Sequence, residues 1–348
     1  MKLKGSDPMK KKIIIAVSVV LLVAALITGW VFWKMSKNPD KNPSETVSQN
    51  QSDYCTLDGV LFSKDMTEII SYPSDKEDKE YEIPDSVTTV RHGAFYDVQS
   101  LEKIIIGKGL EKFEVINSGY SPEFEFKNPF DTCDNLVSVT VNKDNPNFCS
   151  DGQGALYTKD MNVLITVPAG RKSKEFTVPD SVESANYSFT NCADLEVINI
   201  GRGLENLFIH SYADEFNFYG FRDCQSLKEI NVSEDNPHFK SIDGVLYSKN
   251  GSTLVMYPPS KKGETFVIPE CVTFVEWKAF RLNKYIEKLY VGKNVESLDL
   301  YLDNYFYFAE DDRHQMMFDV YYEGELNIPM NPYETEHHTV YYNSTMPQ

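Results

Sequence analysis

The chain is 348 residues long, with 52 acidic and 34 basic side chains and a formal net charge of −18. Hydrophobic residues at 41% and charged residues at 25% are ordinary globular proportions, which excludes a wholly disordered chain and a polytopic membrane protein. Beyond Met35 the balance is 28 basic to 51 acidic residues, which argues against a nucleic-acid or anionic-lipid surface.

Ile13 to Trp33 is a stretch of 21 residues without a charge, long enough to cross a bilayer as a helix. Lys10, Lys11 and Lys12 precede it, and Trp30, Phe32 and Trp33 sit where an interfacial belt would lie. The pattern predicts a single-pass cell-membrane anchor at 13–33, a cytoplasmic N-terminus at 1–12 and an extracellular remainder. A cleaved signal peptide would have a shorter apolar core followed by small residues of the A-x-A type, and none follows here. Residues 34–52 are polar and rich in Asn, Ser and Pro, and read as a flexible linker with a reach of roughly 20–25 Å.

From residue 53 onward the chain repeats. Asp58 opens DGVLFSKDMTEIISYP, Gly154 opens GALYTKDMNVLITVP, and Asp243 opens DGVLYSKNGSTLVMYP. Leu61, Leu156 and Leu246 correspond, and 23 residues after each stands Pro84, Pro179 or Pro269. Within each cassette IPDSV, VPDSV or IPECV is followed by Phe95, Phe189 or Phe280. Next come Leu101, Leu195 or Ile286, and then Ile104, Ile198 or Leu289. The stride of 20–21 residues fits leucine-rich repeats. A single coil cannot bury its apolar face alone, so stacked coils must align these positions into one core. Leu101–Ile106 and Leu195–Ile200 are rich in β-branched residues and predict parallel strands, with corners at the DNP and Gly-Lys-Gly or Gly-Arg-Gly sequences. The tail echoes as VYYEG at Val320 and VYYNS at Val340.

The IPDSV…AF…C…L…I unit and the connector NPNFCSDGQGALYTKD or NPHFKSIDGVLYSKN resemble the BspA-type leucine-rich-repeat surface proteins of bacteria. The resemblance covers about Tyr54 to Gly324. It implies a β-rich leucine-rich-repeat solenoid over 53–348, curved, with parallel strands, turns, short helical segments and a C-terminal cap. It also implies display on the cell surface for adhesion or protein binding, with no shared catalytic residues to carry over. The chain departs from the pattern in three long insertions and in an N-terminal anchor.

Residues that could carry chemistry have plainer readings. Cys133, Cys192 and Cys224 all fall in F-x-x-C-x-x-L, and Val98 and Asn283 fill the same place elsewhere. A slot shared by Cys, Val and Asn is a buried ladder position holding a free thiol. No two cysteines lie within four residues, no histidine set has ligand spacing and no Walker or nucleophile-elbow motif occurs, so no metal or cofactor is expected. A passive envelope stalk and a carbohydrate-active enzyme using an acid pair on the solenoid, paired acids being abundant as in Glu310-Asp311-Asp312, are the other two readings of the function.

The insertions suggest where a partner would bind. Eight residues separate Val87 from Phe95, whereas Leu110 to Phe130 is 20, Leu204 to Phe221 is 17 and Val295 to Phe318 is 23. Alternating apolar runs (Phe113/Val115, Leu207/Ile209, Leu298/Leu300/Leu302) open them and predict hairpins with polar tips. The tips carry Tyr120 and Glu123; Tyr212, Asp214 and Glu215; and Tyr305 with Glu310, Asp311 and Asp312. Aromatic residues beside acids suit an extracellular or envelope protein with a basic patch.

Overall fold

In the computed structural model the described residues are 53–114, 128–186, 188–207, 221, 223–276, 279–280, 282–283, 285–298, 319–324 and 339–347. All belong to the compact unit Asp53–Gln348. The expected anchor at 13–33 and linker at 34–52 lie outside them. Among the described residues no helix is long and apolar enough to cross a membrane.

Each cassette opens with an antiparallel three-stranded meander. The first is Tyr54–Leu57, Val60–Ser63 and Glu68–Ser71. The second is Phe148–Ser150, Leu156–Thr158 and Leu164–Thr166, and the third is Phe239–Ile242, Val245–Ser248 and Thr253–Met256. In the first and third, Asp58-Gly59 and Asp243-Gly244 all have positive φ and make the two-residue turn that suits hairpin twist.

After the meander the chain coils. The coils build a parallel sheet in each cassette: Glu80–Ile83, Lys103–Ile106 and Ser138–Val141; Glu175–Val178, Val197–Ile200 and Glu229–Val232; then Thr265–Val267, Lys288–Val291, Asp319–Tyr322 and Val340–Tyr341. The register stacks like on like, with Ile104 beside Val139 and Ile198 beside Ile230. Leu101, Ile104, Leu136, Leu195, Ile198, Leu227 and Leu289 are at most 1% exposed. Each such side chain contributes roughly 1.5–3 kcal/mol by leaving water. Phenylalanine rings run through the same core, 5.3 Å apart between Phe95 and Phe130 and 5.1 Å between Phe189 and Phe221. The cassettes join through the meanders: Val139 donates to the Gly154 carbonyl at 2.9 Å, and Ile230 to that of Gly244 at 3.0 Å.

The expected parallel strands are present in the coils, and each cassette adds an antiparallel meander to them. One expectation is corrected: among the described residues no short helical segments occur, and single turns replace them. In the segment through Phe95, Ala94 donates to Arg91 O and Tyr96 to Gly93 O. The run then breaks, because Asp97, Asn191, Asp223 and Leu282 at the equivalent place all have φ near 60°. A left-handed residue ends helical propagation, and Asp and Asn accept that conformation most readily.

The corners are set by how closely one coil lies on the next. A Cβ on Gly107 would sit 2.6 Å from Asp85 Oδ1, and one on Gly109 would collide with the Asp85 carbonyl oxygen. Gly201 and Gly203 repeat this against Asp180. Asn145 pins the corner from the other side: its Nδ2 donates to Gly107 O and Leu110 O, and its Oδ1 accepts from Asn147 N and Phe148 N, all at 2.8–3.0 Å. Asn236 does the same for Gly201 and Leu204. In urea unfolding Gly109→Ala is expected to cost about 3 kcal/mol or more. Gly152→Ala, whose Cβ would meet nothing within 4 Å, should stay within about 0.5 kcal/mol of the parent.

Candidate interaction surface

The three inserted stretches leave the coil from one structural position. The first leaves after Lys112–Phe113, which pairs in parallel with Thr89–Val90. The third leaves after Ser297–Leu298, which pairs in parallel with Phe274–Val275. The second leaves after Leu207, beside the parallel bridge of Asn206 to Ser184. Phe113, Leu207 and Leu298 are all buried and anchor the three departures. The first return is clamped by buried Asn128, which donates to Thr190 Oγ1 at 2.9 Å and accepts from Thr166 Oγ1 at 2.7 Å and Phe130 N at 3.0 Å. Tyr120, Glu123, Tyr212, Asp214, Glu215, Tyr305, Glu310, Asp311 and Asp312, the expected tip residues, lie outside the described residues.

The outer faces of the parallel sheets differ from cassette to cassette. The first carries the cross-strand pair Lys103–Glu80 at 3.2 Å, with Lys79–Glu102 at 3.1 Å beside it. The second carries an amide ladder in which Asn231 Nδ2 donates to Asn199 Oδ1 at 3.1 Å and Asn199 Nδ2 to Glu175 Oε1. Glu196, between Lys174 at 2.6 Å and Lys228 at 2.5 Å, has its carboxyl drawn down to about 2 by hydrogen bonds from the two ammonium groups. The third carries a tyrosine ladder. Tyr290, Tyr321 and Tyr341 stack in register with centroids 4.7 and 4.8 Å apart and planes within 14°. The VYYEG/VYYNS echo signalled this row in the sequence, but it reads there only as a repeat unit.

The expected thiol ladder is present. All six cysteines are free. The Cys133 Sγ–H donates to Phe95 O at 3.3 Å, that of Cys192 to Val167 O at 3.5 Å and that of Cys224 to Phe189 O at 3.0 Å. Asn283 fills the same slot and donates to Pro258 O and Pro259 O. Burial pushes the Cys133 thiol up to about 12 and holds Cys224, beside Cys192, well above its ordinary value. Among the described residues no group of three or more His, Cys, Asp or Glu side chains is placed to hold a metal. His210, His314, His337 and His338 lie outside them. The Gly-x-Gly corners face Asp85 and Asp180 and leave no cradle for a phosphate.

The thiol assignments have a direct test. In the native protein an alkylating reagent should modify exposed Cys271 first and reach Cys133, Cys192 and Cys224 only on unfolding. Cys224→Ala should cost about 1–2 kcal/mol. A non-reducing intact mass that reveals bridges would contradict the ladder.

Residues 73–116 and 169–243, about a third of the chain, match the family described as BspA type leucine rich repeat region, in six copies. Those matched residues carry BspA-type leucine-rich repeats, and the coils they form are those repeats. Three solved structures show a partial likeness. A leucine-rich repeat protein from Eubacterium ventriosum is 17% identical over 70% of this chain and 65% of its own length, with a TM-score of 0.41. A leucine rich cell surface protein from Faecalibacterium prausnitzii is 19% identical over 71% and 73%, with a TM-score of 0.35. The pneumococcal vaccine antigen PcpA is 16% identical over 85% and 88%, with a TM-score of 0.36. No curated protein matches the chain in sequence.

Proposed function

We propose that this chain is a surface protein held by an N-terminal membrane anchor at Ile13–Trp33, and that it binds a protein partner through its three inserted segments. The observation that carries the reading is the common departure point at Phe113, Leu207 and Leu298. In a repeat protein, insertions at one coil position recur along one side and make an extended contact surface. Their Tyr residues offer large anchors, and the acids beside them favour a partner with a basic patch and speed its approach. The net charge of −18 acts in the same direction. Binding, rather than catalysis, is the role that fits such a surface.

Two measurements test this. Protease added to intact cells should remove the repeat region and leave a small membrane-bound N-terminal fragment; full protection would reverse the topology. Full-length protein should capture basic extracellular or envelope proteins, and the double variant Tyr212→Ala/Asp214→Ala should weaken capture at least tenfold with an unchanged circular dichroism spectrum. Undiminished capture by a folded double variant would remove the inserted segments from the reading.

A further inference from the structure

The three cassettes place a cation at the same point after the meander. Lys76, Arg171 and Lys261 each follow a proline by three residues, and each donates its backbone N–H to that proline's carbonyl. In the first cassette Lys76 reaches Asp58 at 3.2 Å and Asp78 at 2.6 Å. In the third, Lys261 reaches Asp243 at 2.9 Å. Both lysines are 17% exposed, whereas Asp58 and Asp243 are 81% and 87% exposed. The arrangement is therefore a largely covered cation answered by a carboxylate on the exposed meander turn.

The second cassette lacks that carboxylate. Gly154 corresponds to Gly59 and Gly244, with φ of 78°, 81° and 71°, so Gln153 stands where the others have Asp. Its amide turns away: Nε2 donates to Thr177 O at 3.1 Å and to Asp151 Oδ2 at 3.2 Å. Asp151, the nearest acid in this loop, is spent on the turn itself. It accepts from Gln153 N, Ala155 N and the Tyr157 hydroxyl at 2.9–3.0 Å. Arg171 is 5% exposed and lies over the Phe176 ring at 4.8 Å. Its Nη2 donates to Glu175 O at 3.0 Å, but Nε and Nη1 meet no acceptor among the described residues. Burial pulls the guanidinium below its usual range, and the charge of the nearby Asp151 offsets this only in part.

A buried guanidinium with free N–H groups is costly unless an anion answers it. We propose that Arg171 is a binding site for a small inorganic oxyanion, held beneath the exposed Gly152–Gln153 turn where the other cassettes carry Asp58 and Asp243. A tetrahedral oxyanion matches the guanidinium edge as a carboxylate does, by paired charge-assisted hydrogen bonds. The burial of Arg171 and the overall negative charge favour a free ion over a polyanion. The proposal uses no residue of the inserted segments, so it stands whether or not they bind a partner.

Thermal unfolding of the full chain in sodium sulfate, against sodium chloride at equal ionic strength, tests the assignment. The expected result is a saturable rise in Tm of about 3 °C with sulfate. Gln153→Asp supplies the missing carboxylate. It should raise Tm in chloride and cut the sulfate increment to less than a third. Arg171→Met should abolish the increment. General salting-out by sulfate acts on every variant equally, so the difference between variants is the readout. An absent increment in the parent, or an equal one in Gln153→Asp, overturns the proposal. If Arg171→Met does not fold, Gln153→Asp decides alone.

Discussion

A coil of this chain has to lie on its neighbour at the spacing of paired strands, about 4.8 Å, and most of the structure answers to that distance. It leaves no room for a Cβ at Gly107, Gly109, Gly201 or Gly203. It also decides where buried polar groups find partners. Asn145, Asn236, Asn283 and the Cys133, Cys192 and Cys224 thiols all donate to carbonyls of an earlier coil. These donors therefore report the stacking itself. A coil lifted off its neighbour would expose an apolar face and strand several carbonyls at once, which is why loss of one interface is expected to be cooperative.

The second and third meanders interrupt the coil and stand between three core clusters, contributing side chains to the cluster on either side. Phe148, Leu156 and Ile165 of the second meander pack with the first cassette, and Leu246 and Val255 of the third pack with the second. The second and third meanders thus each close one cassette and start the next. Because the inserted segment always leaves from the second short strand laid beside the meander, the meander period also sets the spacing of the proposed contact surface.

Much of this is legible in the sequence because the repeat aligns residues of like role. The strands at Lys103–Ile106 and Val197–Ile200, the Gly-x-Gly corners and the shared Cys/Val/Asn slot all follow from comparing one copy with another. The antiparallel meander did not emerge, although Asp58-Gly59 and Asp243-Gly244 between apolar runs are a strong hairpin signal. The parallel stride of the coils overshadowed it. Helical segments were expected from the resemblance, and the left-handed residue before four of the ladder slots (Asp97, Asn191, Asp223 and Leu282) is the local reason they do not form there. The Arg171 arrangement was out of reach, because it depends on which way Gln153 and Asp151 turn and not on residue type alone. The tip residues of the insertions rest on the sequence pattern.

The ladder thiols have a consequence for biogenesis. Chains that work outside the cell commonly rely on oxidative cross-links to hold a small or irregular core. Here sulfur serves as a compact hydrogen-bond donor between coils, and the interior is complete with every cysteine reduced. Acquisition of the native state therefore requires no electron acceptor and no thiol-oxidising catalyst. The fold is equally attainable in oxidising, reducing or anoxic surroundings.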